Sequence, residues 1–329
     1  MQNRLVALFG AALLLLGLSG GAQAGDQVTS EKLKAVASFS ILGDMVKNVG
    51  GDRVEVTTLV GPNGDAHVFS PTPADAKTLA DADIFFVNGL GFEGWMERLE
   101  NASGFTGALV VTSGGVMPIV MRGERHDHDA EDRGGEQDHA DQAENEAYDS
   151  QGGGNTDPHA WQSLFNGKIY VTNIRDALIA VDPEGQETYE ANAAKYLTAI
   201  DAEDKAVREA IAKLPEARRK IITSHDAFGY FGNAYGLEIV APEGVSTESE
   251  ASAQDVAKII RQIREEKIPA VFLENVTDRR LLDQIASETG AKIGGVLYSD
   301  VLSDSDGPAP TYLDMFRHNA GALTAALSS

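Results

Sequence analysis

Short apolar runs alternate with helical stretches twice along this chain, and that alternation points to parallel sheets with helices on both sides. Leu33 to Phe39 (LKAVASF) reads as a strand, Ile41 to Gly50 as a helix ending in glycine, and Val54 to Val60 (VEVTTLV) as a second strand. Pro73 to Ala82 is expected to be helical, with Thr72 as its N-cap. Ile84 to Asn88 (IFFVN) is continuously apolar, as a strand buried on both faces should be. Gly94 to Asn101 reads as a helix and Leu109 to Thr112 as a strand.

A long helical zone begins after Trp161. Asp182-Pro183 marks a helix start, and Glu184 to Leu214 keeps helical periodicity through Tyr189, Ala193, Tyr196, Ile200, Val207 and Ile211. A helix of that length would run about 45 Å, enough to cross the molecule. Beyond Pro215 the alternation resumes. Strands are expected at Lys220 to Thr223, Glu238 to Ala241, Ala270 to Leu273 and Lys292 to Leu297, with helices at Phe228 to Tyr235, Ala253 to Glu266 and Arg279 to Thr289. The fold class is α/β: two (β/α) lobes, residues 25–182 and 215–329, joined by a long backbone helix over 183–214.

Between the two sets the composition changes abruptly. Arg122 to Asp157 holds twelve Asp or Glu against three Arg, with hardly an aliphatic side chain. Such a stretch cannot bury enough apolar surface to offset its ordering entropy, so it reads as a flexible acidic insert in the first lobe. The N-terminus has a different character. Arg4, the apolar run Leu5 to Leu18 and Ala22-Gln23-Ala24 read as a cleaved signal peptide over residues 1–24, and the run is shorter than a bilayer span. A soluble, periplasmic monomer is expected. No cysteine is present, so neither a disulfide nor a thiol-linked lipid is available. The formal charge of −23 argues against nucleic acid or an anionic membrane surface as partner and suits the attraction of cations.

Six of the seven histidines divide into two kinds. His67 (GDAHVFSPTP), His159 (DPHAW) and His225 (IITSHDAFGYF) each stand alone beyond an apolar segment. His126, His128 and His139 crowd into the acidic insert, where they form candidate accessory ligands for metal capture. Ligands of open α/β sheets bind beyond the carboxyl ends of strands. His67 follows VEVTTLV through Gly61-Pro62-Asn63-Gly64, His225 follows IIT, and Asp300 follows KIGGVL within LYSDVLS. A single loop histidine is more often solvated or capping, and a lone Asp in a Ser-Asp context is more often a turn or N-cap residue. Three such histidines with one such aspartate on one face are harder to dismiss, and three imidazoles with a carboxylate make a good zinc set.

GDAHVFSPTPAD, NTDPHAW, the DP-initiated long helix, TSHDAFGYFGNAYGL and LYSDVLS together resemble the metal-binding periplasmic solute-binding proteins of ABC importers, the zinc/manganese cluster. The resemblance covers nearly the whole chain beyond residue 24. It implies a metal held in the cleft between the lobes by His67 and His159 from the first and His225 and Asp300 from the second. It further implies delivery of Zn(II) to a membrane ABC permease, and an insert of the kind typical of zinc-specific members, though shorter and poorer in histidine. Manganese relatives place a carboxylate at the position of His225, so histidine there favours zinc.

A periplasmic zinc metallochaperone is a further partner compatible with the insert. A zinc hydrolase is the rival class, since three histidines with an open position would activate water, with Glu274 (FLENV) as base, though a carboxylate ending a buried strand more often serves as a structural acceptor. Asp300 in the fourth position closes that route, and neither HExxH nor GxSxG is present. Metal buffering by the insert alone would leave the solitary histidines unexplained. His318 (MFRHNA) is expected to be a surface or packing residue of a last helix, and Trp95 and Trp161 to be core or domain-edge aromatics.

Overall fold

The structure is a computed structural model that describes residues 31–120, 156–248 and 251–328. Residues 1–24, expected to be a signal peptide, and His126, His128 and His139 lie outside the described residues. The described residues from Lys32 onward form one compact unit. Its first sheet holds β1 (Leu33–Phe39), β2 (Val54–Val60), β3 (Ile84–Val87) and β4 (Ala108–Val111) in the order β2-β1-β3-β4. The second holds β5 (Lys220–Ile222), β6 (Glu238–Val240), β7 (Ala270–Glu274) and β8 (Lys292–Leu297) in the order β6-β5-β7-β8. All six pairings are parallel, so each lobe repeats the same winding and all strands of a sheet end at one edge.

The helices follow from local signals. α1 (Ser40–Gly50) buries Ile41, Leu42, Met45, Val46 and Val49 against the first sheet. α2 (Pro73–Ala80) opens with a capping box: Thr72 accepts from the Asp75 N–H while the Asp75 carboxylate accepts from the Thr72 N–H. α3 spans Met96–Ser103, two residues later than the sequence suggests, because Gly91 to Trp95 form a turn that buries Phe92 and Trp95. The helical zone after Trp161 resolves into α4 (Leu164–Val181) and α5 (Gln186–Ala212), separated by a tight turn at Pro183–Gly185. Asp182 anchors that turn through the Arg53 guanidinium at 2.8 Å and the Tyr189 hydroxyl at 2.6 Å.

α5 turns Tyr189, Ala193, Tyr196, Ile200, Val207 and Ile211 inward, and at 27 residues it runs about 40 Å. α6 (Gly229–Tyr235), α7 (Ala253–Glu266) and α8 (Arg279–Thr289) belong to the second sheet. α9 (Tyr312–Leu327) then returns from the second lobe to the first, where the Tyr312 N–H donates to Asp44 on α1 at 3.0 Å. His318 on α9 is a packing residue, its Nε2 2.9 Å from the Val296 carbonyl and its ring against Tyr298.

One buried apolar cluster runs through both lobes, from Phe39 and Phe85 through Trp161, Tyr196 and Ile200 to Phe272 and Leu297. A smaller one (Ile222, Ile259, Ile263, Val271, Leu282, Ile285) closes the far side of the second sheet under α7 and α8. The last residues of the acidic stretch are part of this fold: Thr156 bridges Val120, and the Asp157 N–H donates to the Ile119 carbonyl at 2.9 Å.

Gly167 on α4 faces Tyr312 on α9, and a Cβ there would lie 2.6 Å from the Tyr312 hydroxyl. That hydroxyl donates to the Trp161 carbonyl. Gly167→Ala is therefore expected to displace the Tyr312 ring and destabilise the metal-free protein by about 1–3 kcal/mol, the usual cost of overpacking, as read from urea unfolding.

Candidate metal centre

The loops beyond β2, β5 and β8, together with the Asp157-Pro158-His159 turn, bring His67, His225, Asp300 and His159 to one point. Gly61 to Gly64 form a turn with Pro62 second and Asn63 at φ 55°, the left-handed value a type II turn requires third. Beyond it the chain is pinned where the Trp95 Nε1 donates to the Ala66 carbonyl at 2.8 Å, one residue before His67. His159 follows Pro158, whose carbonyl accepts from the Asn88 amide at 2.9 Å. His225 lies just past the end of β5, in the bend over Ser224–Asp226. Asp300 is placed from the first lobe: Trp161 Nε1 and Gln162 Nε2 both donate to the Ser299 carbonyl, at 2.9 and 2.6 Å.

All four are buried, with His67 the most exposed at 7%. His67 Nε2 lies 3.3 Å from His159 Nε2 and 3.5 Å from Asp300 Oδ2. His159 Nε2 lies 3.5 Å from Asp300 Oδ1, and His225 Nε2 lies 3.2 Å from Asp300 Oδ2. A tetrahedron with bonds of about 2.0–2.1 Å has edges of about 3.3–3.4 Å, so these separations suit one small cation at the centre. Phe92 and Trp161 form an aromatic floor, Phe92 4.8 Å from the His67 ring and Trp161 5.3 Å from the His159 ring. A cavity of about 260 Å³ between Leu90, Phe92, Pro158, Ser246 and Glu248 reaches His67 from solvent.

Two further carboxylates fix which imidazole nitrogen faces the centre. Asp157 Oδ1 lies 2.8 Å from His159 Nδ1, and its other oxygen lies so close to Gly229 that a Cβ there would come within 2.5 Å. Glu274 ends β7 with Oε2 2.6 Å from His225 Nδ1, while its Oε1 accepts from the N–H groups of Ser224 and His225. Such partners hold the ring and leave Nε2 as the donor atom. With both its oxygens so engaged, Glu274 is a support for His225 and not a base aimed at water. Sequence reasoning missed Asp157, although its spacing to His159 is a usable signal.

Burial by itself would lower the pKa of His225, but the Glu274 and Asp300 carboxylates outweigh it and hold the imidazole well above 6.5. Burial would likewise raise Asp300, and His225 and His159 beside it overcome this and hold it well below 3.8. With no cation bound, these directions favour a proton on His225 facing an ionised Asp300. The raised His225 pKa stabilises the metal-free fold below pH 6.5, and that contribution is lost as pH rises through the folded value. The lowered Asp300 pKa contributes above 3.8, and that part is lost as pH falls through its folded value. A cation on His225 Nε2 displaces a proton, so affinity should climb with pH up to the folded His225 pKa. Binding at pH 7 is expected to release roughly one proton per ion. Calorimetry in two buffers of different ionisation enthalpy measures this, and zero release would mean a neutral His225.

The chain matches the family model for zinc-uptake complex component A, periplasmic, over residues 35–326. It is 32% identical over 318 residues to the manganese-binding lipoprotein of Halalkalibacterium halodurans, covering 96% of this chain and 95% of that one. It is 30% identical over 330 residues to the manganese ABC transporter substrate-binding lipoprotein of Streptococcus anginosus, covering 98% of each. The periplasmic zinc binding protein of Treponema pallidum superposes with a TM-score of 0.77 at 28% identity, covering 90% of this chain and 99% of that one. The chain belongs to the zinc-uptake complex component A family, the metal-binding substrate-binding proteins that serve the membrane permease and ATPase of ABC importers and are not enzymes.

Proposed function

We propose that the cargo is Zn(II), held by His67 Nε2, His159 Nε2, His225 Nε2 and Asp300 and handed to an ABC permease. The observation that carries this reading is the donor set itself: three nitrogens and a carboxylate whose ligand atoms all lie within 4.8 Å of one another, with His67–His159 and the three imidazole–Asp300 separations at 3.2–3.5 Å. That set suits a d¹⁰ ion with no geometric preference of its own, whereas manganese takes more oxygen and a larger shell. Residues 25–182 and 215–329 act as the two lobes and 183–214 as the link, with residues 1–24 an export signal that delivers the protein to the periplasm. Among the described residues no helix is long and apolar enough to cross a membrane.

Manganese is the second reading, and a specific observation favours it. Asp300 turns Oδ1 toward His159 and Oδ2 toward His67 and His225, so both oxygens face the centre and a five-donor shell is open to a larger ion. Two of the relatives above are named for manganese and one for zinc. Protein purified without added metal and analysed by mass spectrometry should carry zinc at one ion per chain, and zinc should displace manganese in competition. Manganese retained against equimolar zinc would overturn the zinc assignment. Deleting residues 122–155, which keeps Thr156 and Asp157, should leave that single tight site intact.

Replacing His67, His159, His225 or Asp300 by Ala should weaken binding by more than the roughly 10- to 100-fold that loss of an outer hydrogen-bond partner costs. Asp157→Asn and Glu274→Gln should fall within that smaller range. Chelator competition ranks all six, and near-native affinity in any of the four alanine variants would remove that residue from the ligand set.

A further inference from the structure

The sequence presents its first two candidate ligands in the same way. Asp65-Ala66-His67 and Asp157-Pro158-His159 both read Asp-x-His. In each, Asp Oδ1 accepts the backbone N–H of the histidine two residues on, at 2.9 Å in both turns. An Asp closing its own turn in this way sets the direction in which the following side chain leaves the backbone.

Each of these turns is also touched by a hydroxyl from the second lobe. Thr247, in the loop between β6 and α7, donates to Asp65 Oδ2 at 2.7 Å. Tyr230 on α6, five residues after His225, donates to the Asp157 carbonyl at 3.2 Å and accepts from the Ile119 N–H at 3.1 Å. Asp65 thus joins His67 to Thr247 through its two oxygens, and Asp157 joins His159 to Tyr230 through its side chain and carbonyl. His225 and Asp300 come from the lobe that supplies both hydroxyls. The ion and the hydroxyls therefore bridge the same two bodies.

We infer that Thr247 and Tyr230 are positioning residues for cargo retention: their hydroxyls lock the two Asp-x-His turns when the lobes are docked. The inference rests on the ligand assignment above. Interactions that must break before the lobes part govern release more than capture, so the effect falls on the dissociation rate. Coupling is reciprocal: the bound ion favours the docked arrangement in which the hydroxyl contacts form, and those contacts favour the ion.

The test follows Zn(II) release into excess chelator by stopped flow, from the full-length protein and from Thr247→Val, Tyr230→Phe, the double variant and Thr247→Ser. Each of the first two should release zinc roughly three- to tenfold faster, the worth of one intramolecular hydrogen bond, with the association rate unchanged. The double variant should release faster than either, and Thr247→Ser, which keeps the hydroxyl, should release at the wild-type rate. Thermal melts of the metal-free variants separate a merely structural role: a lowered midpoint with wild-type release overturns the inference. Equal acceleration in Thr247→Ser and Thr247→Val overturns the part assigned to the hydroxyl. A wild-type protein that holds no stoichiometric ion would instead remove the ligand assignment beneath it.

Discussion

A fully buried carboxylate governs this molecule. Among the described residues, neither oxygen of Asp300 has a hydrogen-bond donor beyond the three imidazoles around it. A charge in that position is costly unless a cation answers it. The fold supplies one of two cations, a proton on His225 or a divalent ion. Everything nearby serves to hold that choice open. Trp161 and Gln162 fix the backbone before Asp300, while Glu274 and Asp157 brace two of the three imidazoles from behind.

The two lobes are less independent than the sequence pattern implies. A continuous apolar core passes beneath the centre, α5 crosses its back, and α9 returns from the second sheet to α1. Lobes that share a core move by small adjustments of contact, not by free hinging. Rigid placement of the donors matters because nitrogen sites bind copper and nickel at least as well as zinc. Discrimination then has to come from geometry and metal supply.

The framework was legible in the sequence where the signal is repetitive. β1, β2, β8, α7 and α8 fall at the expected residues: the two helices carry several turns of consistent apolar periodicity, and the strands are short runs set between helical stretches. The break between α4 and α5 was not legible as a full turn of chain, since apolar periodicity runs on both sides of Asp182-Pro183. His67, His159, His225 and Asp300 could be picked out because chemistry-bearing side chains at strand ends are conspicuous. Thr247 and Tyr230 could not. They act through hydrogen bonds to a carboxylate and a backbone carbonyl in segments 182 and 73 residues away, and no local pattern encodes such a partner. Trp161 likewise reads as a core aromatic, and its indole bond to Ser299 emerges only from the packing.

The spacing of the four donors also bears on how the molecule comes together. His67 and His159 are 92 residues apart, and the other two lie on the far side of α5. An unfolded chain offers these groups one at a time, each too weak alone to retain an ion, and closing such long loops around a metal carries a heavy entropic cost. The four donors meet only after both sheets and the crossing helix are in place, late on any route dominated by non-local contacts. The ion should therefore act as a brake on unfolding and scarcely as a guide to folding.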